Sequence, residues 1–258
     1  MKIDEARQPQ GLKRRRVEQL LSATTFDRSI NVRIDIISRR LLGRSYETDP
    51  LIGSADITEV FTASLDKFDC VTYIETVVAL ARASNVDDFT MWLRKIRYEE
   101  GRIQWKRRNH YITGWIRNGV RNGIVRPVSI PAVRIVSRER VLNVVPGIAA
   151  QRILVKCVPK AAVPGLAGHL RNGDLIFFVS TRRNLDVFHA GVLVREGNKV
   201  SMRHASRSRG LVVEQELSQF LKANRMTGVI VLRPQEWTPG RTAFAIQGAS
   251  LSTGQDDL

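Results

Sequence analysis

The sequence predicts an α+β domain with a mainly antiparallel sheet, on three observations. Helical periodicity is concentrated in the first hundred or so residues, short apolar or alternating runs separated by Gly, Asn and Pro fill the rest, and one late segment returns to a helical pattern. At 258 residues, 43% hydrophobic and 26% charged, the chain is long enough for one large domain or two small ones and has the composition of a folded protein.

The elements follow in order. Residues 1–25 are polar and basic and read as a tail or a short helix, residues 26–236 as the domain, and residues 237–258 as a C-terminal tail. Ile30, Ile34, Ile37 and Leu41 recur at three and four residues, the mark of an amphipathic helix ending near Gly43. The stretch "GRSYETDPLIGSADI" reads as loop. A second helix is expected from Cys70 to Ala83 and a third from Val86 to Tyr98, opened by Asn85 or Asp87 as cap. Beyond "KRRNHYITGWIRNGV", the segments "AAQRILVKCVP", "GDLIFFVS", "LDVFHAGVLV", "KVSMRHAS" and "TGVIVLRP" read as strands, with a short helix around "VVEQELSQFLKAN". No internal repeat is visible.

Composition narrows the function classes. Two cysteines, Cys70 and Cys157, cannot build a disulfide framework, and neither lies in a zinc-ligand spacing, so no metal is expected. The charged N-terminus carries no secretory signal and no run of about 18 apolar residues appears, which predicts no membrane span and a cytoplasmic location, with a periplasmic or secreted location by a non-classical route as the alternative. A net charge of +16 attracts nucleic acid, anionic lipid and anionic substrates alike. The basic residues are dispersed, and no zinc finger, basic-zipper pattern or RNP-like motif accompanies them, so nucleic acid is not the favoured partner.

The stretch "LDKFDCVTYIETVVALARA" places Cys70 where loop turns to helix. Asp69 is a favoured N-cap residue, and Val71, Ile74, Val78 and Ala81 form an apolar stripe on the helix it opens. A thiol in the first turn meets unsatisfied N–H groups and the positive end of the helix dipole, which predicts a pKa below the usual ~8.5. The same N–H groups suit an oxyanion. A nucleophilic cysteine needs an imidazole to take its proton and a polar group to orient that imidazole.

His189 and His204 lie in two strand-like segments joined by "REGNK", where Gly197 and Asn198 suit a two-residue turn. In that register Glu196 faces Lys199, His189 faces Ser206, and His204 is the diagonal neighbour of His189 on one face, about 7–8 Å away between backbones. A slip of one residue would put the rings on opposite faces. His169, in "LAGHLRNGD", reads as a structural turn residue, and His110, in "RRNHYITGWI", as part of an aromatic and polar loop that could line a cleft.

Taken together, "LLGRSYETDPLIGS", "FDCVTYIETVVALAR", "RNHYITGW", "LRNGDLIFFVS", "LDVFHAGVLV" and "RHAS" resemble the N-acetylmuramoyl-L-alanine amidase-like family of the NlpC superfamily of papain-like cell-wall hydrolases, over residues 30–233. The resemblance implies a papain-like core with N-terminal helices packed on the sheet, and cleavage of the amide between (anhydro)muramic acid and the L-alanine of a peptidoglycan fragment through a thioester. It implies Cys70 as nucleophile, His189 as general base and acid, and His204 as the orienting third member. Asp69 is implied as cap or substrate contact, and Tyr46, Thr72, His110, Tyr111 and Trp115 as residues of cleft-lining segments. No cofactor is implied. The arginine-rich charge departs from the family pattern and keeps two other readings open: an acyltransferase or thioesterase with another acyl donor, and a basic nucleic-acid-binding module with a vestigial hydrolase core.

Overall fold

The structure, a computed structural model, describes residues 8–24, 28–130, 133–197 and 199–236. The expected C-terminal tail and Asn198 of the expected hairpin turn lie outside the described residues.

In chain order the elements begin with helices α1 (Arg14–Ser22) and α2 (Ile30–Arg40), the two-residue strands β1 (Ser45–Tyr46) and β2 (Lys67–Phe68), and helices α3 (Cys70–Arg82), α4 (Val86–Arg97) and α5 (Ile112–Arg121). Strands β3 (Val125–Pro127), β4 (Val136–Leu142), β5 (Gln151–Pro159), β6 (Leu175–Val179), β7 (Val187–Glu196), β8 (Lys199–Ser206) and β9 (Leu211–Glu216) follow, then α6 (Leu217–Ala223) and β10 (Gly228–Pro234). The helices-first segregation read from the sequence is thus the observed α+β arrangement. One sheet runs β2-β1-β9-β8-β7-β6-β10-β5-β4, with β3 also on β10, and every pairing but β1 with β2 is antiparallel.

Helix α3 is the centre of the molecule. From Thr72 to Arg82 every one of its residues is buried, which explains why its sequence is apolar almost all round. It packs between α2, α4 and the β7–β8 part of the sheet. The first expected helix keeps its face: Ile30, Ile34, Ile37 and Leu41 all enter the core. The N-terminal basic segment contributes a helix whose Val17 and Leu21 join the same core.

Two buried arginines tie the layers. Arg97 of α4 pairs with Glu75 of α3 at 2.8 Å, with both side chains 2–3% exposed, and donates to the Thr62 carbonyl. Arg203 of β8 bonds Asp35 and Ser38 of α2 and Glu214 of β9, so helix and sheet are clamped directly behind His204.

Two of the differences from expectation concern helices. In "VVEQELSQFLKAN" the first part is strand, not helix: β9 pairs along β8 from Ser206↔Leu211 to Ser201↔Glu216, and the helix starts only at Leu217. An open strand edge satisfies the backbone of "LVVEQE", and its two valines favour the extended state. The stretch after "RRNHY" is helix α5, packed so closely on β3 that a Cβ on Gly119 would lie 2.9 Å from Val125 Cγ2.

Candidate active site

The start of α3 is built by Asp69. Its carboxylate accepts from the N–H groups of Val71 (3.0 Å) and Thr72 (2.7 Å), and the Thr72 hydroxyl accepts from the Asp69 N–H at 3.0 Å. This closed capping box is worth about 0.5–2 kcal/mol and fixes where the helix begins. Asp69 and Thr72 are therefore held in the cap. Thr72 is 5% exposed, its hydroxyl engaged, and it lines a cavity with Lys67, Thr76 and Arg97 rather than one shared with the histidines.

Cys70 is the first helical residue and is half-buried. Its sulfur faces the backbone N–H groups of Ala190, Cys70 and Val71, which favour the thiolate, but burial opposes them more strongly and the Asp69 carboxylate adds to that, so the thiol is pushed up to about 12. The expectation of a lowered pKa from the helix start is corrected: the loss of solvent outweighs the dipole and the N–H groups.

The β7–β8 hairpin has the register read from the sequence. Glu196 faces Lys199 and the ladder continues to Val192↔Arg203. His189 and His204 lie past its last pair, and their rings meet edge to face with centroids 4.7 Å apart. His189 Nε2 is 2.7 Å from His204 Nδ1, and His204 Nε2 is 3.3 Å from Gln215 Oε1 on β9. Ala190, whose N–H faces the Cys70 sulfur, directly follows His189, so the start of α3 lies against β7 at the residue next to His189.

Phe220 of α6 lies against both rings, with centroids at 5.3 and 5.7 Å, and Phe178, whose ring is 4.5 Å from that of Phe220, lies beside it at 6.2 Å from His189. This apolar casing pushes His189 down to about 3, helped by the charge of His204, and His204 down to about 4 against the opposing effect of its hydrogen bond to Gln215. At neutral pH the centre holds a thiol and two uncharged imidazoles.

Tyr46 stands at the same place. Its N–H donates to Gly210 O at 2.7 Å, which seats β1 against the β8–β9 turn. Its hydroxyl is raised by burial and by Cys70 and Asp69, and lowered by the exposed Arg207 of that turn and by Thr48. Arg207, Gln215 and Phe220 did not emerge from the sequence as site residues. The only signal for them was their position, on the turn, strand and helix that follow "RHAS".

The remaining expected residues lie elsewhere. Trp115 is 1% exposed and packs on Phe177 at 5.5 Å, so it is a core residue and has no surface to offer a substrate. His110 Nε2–H donates to Trp105 O at 2.7 Å, and burial lowers its pKa to about 4. Tyr111 is buried, its hydroxyl accepting from the Val144 N–H at 3.0 Å. His110 and Tyr111 border a cavity of about 140 Å³ rimmed by Lys106, Arg107, Arg117 and Arg121, whose walls include none of Cys70, His189 and His204.

The fold is shared with proteins of known structure. An N-acetylmuramoyl-L-alanine amidase from Bacteroides uniformis of known crystal structure is 28% identical and superposes with a TM-score of 0.66, over 77% of this chain and 97% of its own. A Legionella pneumophila protein, 19% identical, shares the fold with a TM-score of 0.74 over 86% of this chain and 94% of its own. No curated protein matches the chain. The AmiA-like family, described as N-acetylmuramoyl-L-alanine amidase-like, matches residues 36–229, a span that holds Cys70, His189, His204 and Gln215, and the chain belongs to that family.

Proposed function

We propose that the protein is a cysteine amidase with a papain-like core, cleaving the bond between (anhydro)muramic acid and L-alanine in peptidoglycan fragments. The observation that carries this reading is the contact between His189 Nε2 and His204 Nδ1 beside a cysteine at a capped helix start. Membership of the amidase-like family and the likeness to the B. uniformis amidase support the substrate class.

Because the resting thiol and imidazoles are uncharged, His189 acts as a general base in concert with attack. Its Nδ1, the ring nitrogen not turned to His204, takes the thiol proton as the sulfur bonds to the amide carbonyl carbon. The Cys70 N–H, which the Asp69 cap leaves unengaged, stabilises the resulting oxyanion. Collapse breaks the C–N bond, and the proton on His189 passes to the departing L-alanine nitrogen. Water then attacks the thioester, gives its proton to His189, and the proton returns to the leaving sulfur.

The test is incubation of wild type and Cys70→Ala with defined muropeptides, read by mass spectrometry. Release of free stem peptide by wild type alone is expected. Equal release by both proteins overturns Cys70 as nucleophile, and release by neither overturns the muropeptide substrate.

A further inference from the structure

We infer that Gln215 is a positioning residue that sets the tautomers of both imidazoles, and through them which nitrogen of His189 is basic. Gln215 sits on β9 two residues beyond Val213, the partner of His204 in the β8–β9 ladder, so it is the diagonal neighbour of His204 on the same face. Its Oε1 is 3.3 Å from His204 Nε2, and His204 Nδ1 is in turn 2.7 Å from His189 Nε2.

An uncharged imidazole carries one N–H donor and one acceptor nitrogen, and an amide oxygen only accepts. Facing the Gln215 oxygen, His204 must therefore hold its proton on Nε2. Its Nδ1 is then an acceptor, which requires His189 to hold its proton on Nε2. That leaves the lone pair of His189 on Nδ1, free to receive the thiol proton. With the amide turned to present its NH₂, every hydrogen bond in the chain reverses and His189 Nδ1 becomes a donor that cannot act as base. The casing of Phe178 and Phe220 makes the relay necessary, because it keeps both rings uncharged and so leaves the tautomers to be chosen.

This rests on His189 being the base of the proposed amidase, but its primary readout needs no substrate. The full chain is labelled with ¹⁵N-histidine and its ring-nitrogen shifts are measured at pH 7.5, for wild type, Gln215→Glu and Gln215→Met. Wild type is expected to show both rings protonated on Nε2. Gln215→Glu, whose carboxylate also only accepts, keeps that pattern. Gln215→Met, of similar length but without an amide, mixes the tautomers, and its kcat on muropeptides falls about tenfold or more with little change in KM. A wild-type His189 protonated on Nδ1 overturns the inference from one spectrum, as does an unchanged pattern in Gln215→Met. The expected tautomers in a protein that cleaves no muropeptide uphold the relay and count against the substrate alone.

Discussion

Replacing Phe220 by alanine tests whether an apolar lid keeps the paired histidines uncharged. Phe220 is 7% exposed and its ring lies 4.5 Å from Phe178, 5.3 Å from His189 and 5.7 Å from His204. Truncating a buried phenylalanine costs about 3–5 kcal/mol. Burial is the first cause of the low pKa of both histidines, so admitting water should move both up toward the ordinary ~6.5. The sign follows from proton uptake. In wild type the unfolded chain protonates these histidines near 6.5 while the folded one does not until about 3 and about 4. Stability is therefore lost as pH falls below 6.5, by up to about 2 kcal/mol per histidine at pH 5. Phe220→Ala, with folded pKa values nearer 6.5, loses less over the same interval. Urea denaturation at pH 7.5 and pH 5 should give a stability gap that narrows at the lower pH, by on the order of 1–2 kcal/mol. A constant or widening gap, or histidines that still titrate near 3–4 in the variant, would refute the reasoning.

Two further outcomes are expected. Arg97→Met strands the Glu75 carboxylate in the core and should cost about 3–5 kcal/mol by denaturant unfolding, whereas Glu75→Leu with Arg97→Met recovers most of the loss; equal losses in the single and double variants would contradict an internal ion pair. Because its thiol is raised to about 12, Cys70 should react with iodoacetamide in the substrate-free protein at a rate that keeps climbing above pH 9; a plateau reached near pH 5–6 would mean a preformed thiolate.

What was legible in the sequence follows from the range of the forces involved. The helix at Ile30 was readable from its apolar stripe and those at Cys70 and Val86 from their caps as well, because both signals are local, and the β7–β8 register because a two-residue turn and alternation fix it. Helix α5 was hidden by Gly114 and Gly119, poor helix formers; at Gly119 contact with Val125 leaves no room for a side chain. Strand β4, "VSRERVL", was hidden because only Arg140 and Leu142 are buried in it, and three consecutive charges, Arg138, Glu139 and Arg140, break its alternation on a hairpin arm paired to β5. The helix expected at "VVEQEL" lost to the free edge of β8, a partner that only the tertiary fold supplies.

The site divides along the same line. That both rings share a face is a consequence of strand periodicity and could be read from residue numbers alone. The charge state of the centre could not, because it depends on Phe178, Phe220 and the packed core, which lie far from Cys70 in the chain. The unsatisfied N–H groups of the first turn and the helix dipole, the latter worth about 0.3–1 kcal/mol, are the local influences on the thiol. Enclosure by protein is the larger influence, and the Asp69 carboxylate that builds the helix start acts in the same direction. The consequence is chemical as well as numerical. If the proposed cysteine attack takes place, a centre at rest as thiol and neutral imidazoles, rather than as an ion pair, moves its proton while the carbon–sulfur bond forms. In the proposed reaction that proton goes to the nitrogen of His189 that bears the lone pair, and the inferred role of Gln215, two hydrogen bonds away, is to choose that nitrogen.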